Sequence, residues 1–373
     1  MPKTPLRAAE IARFRLRRHH LLDEPPADAV TIARDMCGVQ AQVMSAAYLQ
    51  LWTRNHSLTR AEIEDALWQK RTLIKTSLMR QTLHLIPSDE FSLYIAAERP
   101  SRVAGALRVM ARFGITREEA EASTLLITEA LSSGPMGRPQ ILAALRPKVS
   151  KRVHAWAEKC WGLVRLPVAE GMVCYGSGEG NQAVFIRVDQ WLPKLVTKKI
   201  PVAKAQSELL RKYLRAYGPA TLTDFSHWSG IPMQEVRPLR SLLETELEEV
   251  AGETRGSMLL REDIAAMNNC SGTKGCIRLL PIFDSYLLAH REKEHLLSAQ
   301  HYKRVYRNQG WISPVVLIDG AIAGVWSHKL QNKKLFIGIE PFDKLTKAAK
   351  AGIGRQARHL AEFFQSKLDL KFQ

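Results

Sequence analysis

The sequence lacks the features that usually mark a metalloprotein, a disulfide-rich protein or a membrane protein. Its five cysteines are scattered, odd in number and without CxxC spacing, which argues against a disulfide framework or structural zinc site and favours a reducing compartment. No apolar run approaches the length of a transmembrane helix. The basic N-terminal segment has no apolar core and no small-residue cleavage site. We therefore expect no signal peptide and a cytoplasmic location.

Motifs for nucleotide binding and for a catalytic metal are also missing. The glycine-rich stretch at 175–180 does not end in the GK[ST] of a phosphate-binding loop, and we expect a flexible turn there. His290 and His295 are five residues apart, whereas a zinc-protease helix needs a spacing of four. The sequence therefore predicts neither a metal ion nor another cofactor.

Acidic residues are too few to balance the basic ones. The 373 residues include 54 Lys and Arg against 37 Asp and Glu, which gives a net charge of +17 and a pI near 9.8. A net charge of this size destabilises the compact chain through repulsion between like charges, and binding to phosphate groups would relieve that repulsion. Because the basic residues occur in every segment, the pattern favours a long charged surface that follows duplex DNA.

Helical segments and short hairpins alternate along the chain. Three helical segments, followed by a hairpin that closes at Pro87, give the order of a winged helix. Asp28 is the expected N-cap of one helix, and Thr59 with Glu62 is the expected capping box of another. The same order follows twice more. The pattern, rather than residue identity, therefore predicts three winged-helix units.

The predicted fold class is α+β and mainly helical, with three tandem winged-helix units and a C-terminal region of mixed strands and helix. That last region is expected to end in a long helix from 342 to about 368. The predicted domains are 1–115, 116–200, 201–262 and 263–373.

Polar residues in three apolar settings are candidates for a site. Gln40 and Gln42 precede a strongly apolar segment, and a buried amide needs hydrogen-bond partners. Capping of a helix N-terminus or contact with phosphate explains them from the residues alone. His84 alternates with apolar neighbours, where a hydrogen-bonded structural histidine is the simplest interpretation. Asp284 and Arg291 follow an apolar strand and a proline, where they either line a cleft or form an ion pair within a loop.

Five segments, taken in order, resemble the winged-helix DNA glycosylases of the AlkZ/YcaQ-like superfamily over nearly the whole chain. They are VQAQ at 39–42, LMRQTLHLIPSDEF at 78–91, AYGPATLTDFSHWSGI at 216–231, LLPIFDSYLLAHREKEHLL at 279–297 and VVLIDGAIAGVW at 315–326. The resemblance implies tandem winged helices around a C-shaped channel that binds double-stranded DNA. It also implies excision of N7-alkylated purines and, as in several members, unhooking of interstrand crosslinks.

The resemblance also implies which residues act. The family's catalytic signature is a glutamine, one intervening residue, and then glutamine or aspartate. It falls here on Gln40 and Gln42, with alanine between them. The chain departs from the family pattern at two positions, the small Ala41 and the glutamine after Arg80, where the family often has glycine. Both positions could change the size of the adduct that the enzyme accepts. The implied DNA contacts are Lys75, Arg80, His84, Asp284 and Arg291.

Two amides suffice for a labile leaving group. An N7-alkylated purine is already cationic and leaves as a neutral base, so no general acid is needed. The glutamine oxygens would orient a water molecule and favour an oxocarbenium-like sugar. We therefore expect a monofunctional, metal-independent DNA glycosylase that acts as a monomer in the cytoplasm, associated with the nucleoid. A winged-helix transcription regulator and a DNA-bridging protein are the alternatives, and the regulator is disfavoured because no heptad seam or effector domain is visible.

Overall fold

A computed structural model gives the fold of residues 6–23, 25–159, 162–178, 182–195, 199–251, 254–270 and 275–373. It confirms the α+β, mainly helical class. Cys160 and parts of the predicted hairpin tips near 175–180 and 252–256 lie outside these ranges. Within them, no helix combines the length and the apolar character that crossing a membrane would require.

The first part of the chain contains helices followed by a hairpin, as predicted. Its elements are α1 (Ala8–Arg18), α2 (Ala29–Asp35), β1 (Val39–Gln40), α3 (Met44–Arg54), α4 (Arg60–Glu64), β2 (Leu73–Leu78) and β3 (Thr82–Pro87). The Asp28 carboxylate accepts the N–H of Thr31 at the start of α2. Thr59 and Glu62 cap α4 reciprocally. Both predicted caps are therefore confirmed.

A long helix, α5 (Phe91–Arg112), leads into the second group of helices and its hairpin. The elements of that group are α6 (Arg117–Ala130), β4 (Met136–Gly137), α7 (Arg138–Leu145), α8 (Lys151–Lys159), α9 (Gly162–Ala169), β5 (Val173–Gly176), β6 (Val184–Arg187) and α10 (Val188–Trp191). The two hairpins join in one six-stranded sheet of order β1-β3-β2-β5-β6-β4, in which Lys75 pairs with Tyr175. The first and second parts of the chain are therefore joined by more than a linker, while the predicted domain boundaries stay predictions.

The third group repeats the order of helices and hairpin. Its elements are α11 (Val202–Tyr217), α12 (Leu222–Ser229), α13 (Met233–Val236), α14 (Leu239–Leu242), β7 (Leu247–Glu249), β8 (Met258–Leu260) and α15 (Ile264–Asn268). Helix α11 ends at Tyr217 with Gly218 as its C-cap, and Thr221 and Asp224 form the capping box of α12. Each of these signals is present in the sequence.

The first helix packs on the third group rather than beside the first hairpin. Phe14 of α1 lies in an apolar cluster with Leu259 of β8. Arg15 donates hydrogen bonds to the carbonyl oxygens of Tyr217 (3.2 Å) and Pro219 (2.7 Å). Buried apolar residues of the first hairpin, α5 and α11 also share one cluster. Sequence-distant parts of the chain are thus held together by a common apolar core.

The C-terminal region differs from the prediction at its end. Its elements are β9 (Ile277–Leu280), α16 (Tyr302–Val305), β10 (Val315–Ile318), β11 (Ala321–Gln331), β12 (Lys334–Pro341), α17 (Lys347–Phe363) and β13 (Lys367–Phe372), with a sheet of order β13-β12-β11-β10-β9. The predicted helix from 342 to about 368 is too long, because α17 stops at Phe363 and β13 then pairs in parallel with β12. Leu368, Leu370 and Phe372 alternate with charged residues, a period of two that favours a strand.

Candidate active site

Gln40 and Gln42 lie outside the helix that their sequence context suggested. Gln40 ends strand β1, and α3 begins only at Met44, with Val43 as an N-cap that makes no side-chain bond. The amide oxygen of Gln42 accepts the backbone N–H of Leu83 on the first hairpin (3.3 Å). Neither glutamine therefore caps α3, and the capping interpretation is wrong.

Gln40 is buried, and both its backbone N–H and its carbonyl oxygen are hydrogen-bonded. Its side chain and backbone together are only 5% exposed, and its N–H donates to the hydroxyl of Ser285 (3.4 Å). The side-chain amide of Gln50 donates to its carbonyl oxygen (2.9 Å). The side-chain Oε1 of Gln40, in contrast, is buried and has no hydrogen-bond partner. A buried acceptor without a partner is unfavourable, so a hydrogen bond from a water molecule or a substrate would stabilise this oxygen.

Gln42 differs from Gln40 in being exposed, and it lines a cleft between the first hairpin and the second group of elements. The cleft has a volume of about 270 Å³. Its walls are partly apolar, with Leu83 and Phe185, and partly cationic, with Arg102 and Arg165. The cleft can therefore receive a group that has both an apolar body and hydrogen-bond acceptors.

His84 lies beside Gln40 in the sheet, because the two residues are Cα partners across β1 and β3. Its ring is buried, and Nδ1 donates to the carbonyl oxygen of Thr82 (3.0 Å). Burial, together with the nearby charges of Arg80 and Arg102, lowers the pKa of His84 to about 3. The ring is therefore neutral at physiological pH and suits positioning better than phosphate binding.

Two further predicted contacts lie on the first hairpin and are half-buried. Arg80 has a left-handed backbone (φ 55°), and its guanidinium donates to the carbonyl oxygen of Trp228 at the end of α12. Burial lowers the pKa of Arg80 without removing its charge at neutral pH. Nζ of Lys75 lies 5.9 Å from the ring centroid of Tyr175. Arg80 thus connects the first hairpin to the third group, and Lys75 lies where the two hairpins meet.

Asp284 is not exposed to solvent. Its carboxylate is fully buried and accepts two hydrogen bonds from Arg54, at 2.9 and 2.8 Å. The next residue, Ser285, contacts the side-chain oxygen of Gln50 through its N–H and its hydroxyl, both at 3.1 Å. The structure shows neither of the two sequence interpretations, because the carboxylate is fully buried and its partner Arg54 lies on α3 rather than in the loop. The pair fixes the loop whose Ser285 touches the backbone of Gln40.

Arg291 is exposed, and its backbone N–H donates to Asp224 of α12 (2.8 Å). Two residues that the sequence did not single out for DNA lie close to it, His227 and the buried Lys293. Burial first, and then the charges of Lys293, Arg80 and Arg291, lower the pKa of His227. Burial, and then Arg80, lowers the pKa of Lys293 to about 8. We name Arg80, His227, Arg291 and Lys293 the basic cluster.

Further residues of the site were not singled out from the sequence. Gln50 and Arg54, two buried polar residues of α3, are spaced by four and so share one helix face. That spacing was the available signal. Glu98 lies one helical turn before Arg102 on α5, fully buried, with both carboxylate oxygens unpartnered. Burial raises the pKa of Glu98 to about 8.

Among the described residues, no three His, Cys, Asp or Glu side chains are grouped as metal ligands would be. Cys37, Cys174 and Cys276 are free thiols. Metal independence of the reaction stays a prediction.

Comparison with known proteins identifies the family. The model of the family described as DNA glycosylase AlkZ-like matches residues 33–363. An interstrand DNA cross-link repair glycosylase of Streptomyces sahachiroi is 29% identical over 370 residues, which covers 94% of this chain and 95% of that protein. The solved structure of the S. sahachiroi DNA glycosylase AlkZ has a TM-score of 0.88 and 26% identity, and the match covers 99% of this chain and all of the other. The chain therefore belongs to the AlkZ-like family of DNA glycosylases, which hydrolyse N-glycosyl bonds.

Proposed function

We propose that this glycosylase excises cationic N7-alkylated purines from double-stranded DNA, with Gln40 and Gln42 as its catalytic residues. The unpartnered, buried Oε1 of Gln40 is the observation that carries the proposal. A carbonyl oxygen in that state can accept a hydrogen bond from the attacking water. Its dipole also favours positive charge that develops on the sugar.

The two amides have complementary roles. Gln40 is held by Gln50 and Ser285, so its position is set before the substrate arrives. Gln42 is exposed at the cleft, and we assign it to the same water from the open side. Glutamine is no general base, and so the rate depends on a leaving base that is already cationic. This dependence restricts the enzyme to labile lesions.

The cleft beside Gln42 extends the proposed substrate range to large adducts and interstrand crosslinks. A methyl group fills only a small part of about 270 Å³. Arg102 and Arg165 offer donors to a polar substituent, and Leu83 and Phe185 offer apolar contact. The related glycosylase of S. sahachiroi is named for interstrand cross-link repair, which supports the same assignment here.

The predicted DNA-contact residues fall into two groups, those that solvent reaches and those that are buried. We assign Arg291 to a backbone phosphate because it is exposed, and Arg80 and Lys75 to the DNA beside the lesion. His84 and Asp284 are buried and act as positioning residues for Gln40 and its loop. One copy of the chain supplies all of these groups, which supports action as a monomer. The DNA substrate of the enzyme supports a location at the nucleoid.

A base-release assay tests the proposal. The purified protein is incubated with a duplex that contains a single N7-methylguanine, and alkali then breaks the strand at any abasic site. We expect breaks at the lesion, at the same rate with a chelator present, and none in an unmodified duplex or one carrying a neutral lesion such as uracil. A duplex with an N7-linked crosslink should separate on a denaturing gel. Absence of breaks, or activity that a chelator abolishes and zinc or magnesium restores, would contradict the proposal.

A further inference from the structure

An exposed tryptophan lies on a tight turn beside the loop that supports Gln40. Trp311 is 49% exposed, an unusual state for the largest apolar side chain. It ends the segment 302–311, which we name the aromatic arm. This arm contains α16 and presents a second exposed aromatic residue, Tyr302.

The backbone holds Trp311 in a defined position. Gln309 (φ 59°) and Gly310 (φ 76°) are both left-handed, the combination found in type I′ hairpin turns. The N–H of Arg307 donates to the carbonyl oxygen of Trp311 (2.7 Å), and Tyr306 and Ile312 form a bridge behind the turn. A glutamine in this conformation is strained, and such strain is typical of functional segments.

The arm is anchored to the candidate active site at two points. The Trp311 ring lies 5.2 Å from the ring of Phe283, centroid to centroid. Phe283 directly precedes the buried Asp284 and Ser285, whose hydroxyl contacts the N–H of Gln40. At the second point, the Tyr306 ring lies 5.2 Å from Nζ of Lys293 in the basic cluster. The arm therefore borders both the loop behind Gln40 and the cations near Arg80.

The charge of the arm indicates what it contacts. Residues 302–311 contain Lys303, Arg304 and Arg307, all exposed, and no acidic residue. Arg304 also pairs with Glu340 of β12 (3.2 Å). Exposed aromatic rings interleaved with cations fit a nucleic acid, whose bases offer flat faces and whose backbone offers phosphates. An apolar protein partner would not call for this set of cations.

We propose that the aromatic arm is a DNA-contact element in which Trp311 stacks on a base next to the lesion and Arg307 contacts the adjacent phosphate. The proposal rests on membership of the DNA glycosylase family and extends the proposed function, since it adds a stacking residue to the site. It does not depend on the identity of the lesion. Binding can therefore test it even if N7-methylguanine proves not to be a substrate.

The experiment compares Trp311→Ala, Trp311→Phe and Phe113→Ala. Phe113 is a matched control, because it is 56% exposed and also packs on another aromatic ring, that of Trp156 (5.8 Å). Affinity is measured for a duplex with a tetrahydrofuran abasic-site analogue. Loss of one base–aromatic stack predicts weaker binding by about 5- to 150-fold for Trp311→Ala. Trp311→Phe should keep most of the affinity, and Phe113→Ala all of it.

A fluorescence difference provides a second readout. The chain has eight tryptophans, so the signal of Trp311 is obtained by subtracting the spectrum of Trp311→Phe from that of the wild type. We expect this signal to be quenched when the duplex is added. Wild-type affinity in Trp311→Ala, or a difference signal that DNA leaves unchanged, would overturn the proposal. Melting curves identify a misfolded Trp311→Ala, in which case the fluorescence difference between wild type and Trp311→Phe decides.

Discussion

Gln40 and His84 are paired across β1 and β3, and both are buried. His84 donates through Nδ1 to Thr82, and its pKa of about 3 keeps the ring uncharged. This neutrality has a chemical consequence for the proposed reaction. An imidazolium at this position would repel the positive charge that develops on the sugar, whereas a neutral ring does not.

Replacing either glutamine by alanine should slow the chemical step without weakening the fold. Loss of one positioning dipole should raise the barrier by about 2–4 kcal/mol, or about 10²–10³-fold in rate. Gln42→Ala removes an exposed side chain, and Gln40→Ala removes an amide whose Oε1 is unpartnered, so neither should lower the melting temperature strongly. The measurement is single-turnover release of N7-methylguanine at saturating enzyme.

The double variant Gln40→Ala/Gln42→Ala distinguishes shared from separate roles. Because both amides are proposed to hold one water, the fold-loss of rate in the double variant should be smaller than the product of the fold-losses in the two single variants. Gln50→Ala offers a control for indirect effects, since it removes the bond to the Gln40 carbonyl without removing a proposed catalytic group. Wild-type release rates in both single variants would place the active site elsewhere.

Breaking the ion pair between Arg54 and Asp284 should destabilise the protein. Asp284→Asn leaves the Arg54 guanidinium buried without its countercharge, which typically costs about 3–5 kcal/mol. Urea unfolding measures this loss as a lower midpoint. Glu121→Gln breaks an exposed pair with Arg117 and should change the midpoint little. Equal, small effects of the two substitutions would show that the buried pair does not stabilise the fold.

Glu98 should make stability depend on pH. Its carboxyl has a pKa of about 8 in the folded protein, against an ordinary value near 4.5. The folded state therefore binds more protons than the unfolded state between these values, and stability should fall as pH rises from about 4.5 to about 8. Glu98→Gln lacks this ionisation, so its stability relative to the wild type should increase over the same interval.

Urea unfolding at pH 5.5 and pH 8.5 tests the Glu98 prediction. Glu98→Gln should gain on the wild type at the higher pH, while Glu244→Gln, at an exposed site on the third group, should follow the wild type. A difference between Glu98→Gln and wild type that is the same at both pH values would mean that the carboxyl ionises normally in the folded state.

Local signals in the sequence identified helix ends better than long-range pairing. Asp28 and Thr59 cap helices as predicted, because a cap depends on residues within one turn. The sheet that joins Lys75 to Tyr175 depends on a pairing across a hundred positions, which no local pattern records. Strand β13 was missed although its period of two is visible, because the preceding helical pattern was extended through it.

The site, like the fold, was predicted only in part. The spacing of Gln40 and Gln42 gained meaning only from the family resemblance, and the family is confirmed, which removes the transcription-regulator alternative. The buried ion pair of Asp284 was not among the two interpretations drawn from the sequence, because its partner Arg54 lies on α3, far away along the chain. Lys293 was not predicted because its proximity to Arg80 arises only in the folded chain.

The last prediction concerns the salt dependence of DNA binding. If phosphate contacts dominate, log K should fall linearly with log salt concentration, and each lost contact should reduce the slope by about 0.9. Arg291→Gln removes an exposed cation of the basic cluster and should reduce the slope by about that amount, weakening all duplex sequences equally. Arg117→Gln, on α6 and paired with Glu121, is the matched exposed control and should leave the slope unchanged. Titrations at several salt concentrations, with two unrelated duplex sequences, measure both slopes. An affinity that does not change with salt, or a strong preference for one sequence, would instead indicate recognition through base edges, for which the basic cluster would be unnecessary.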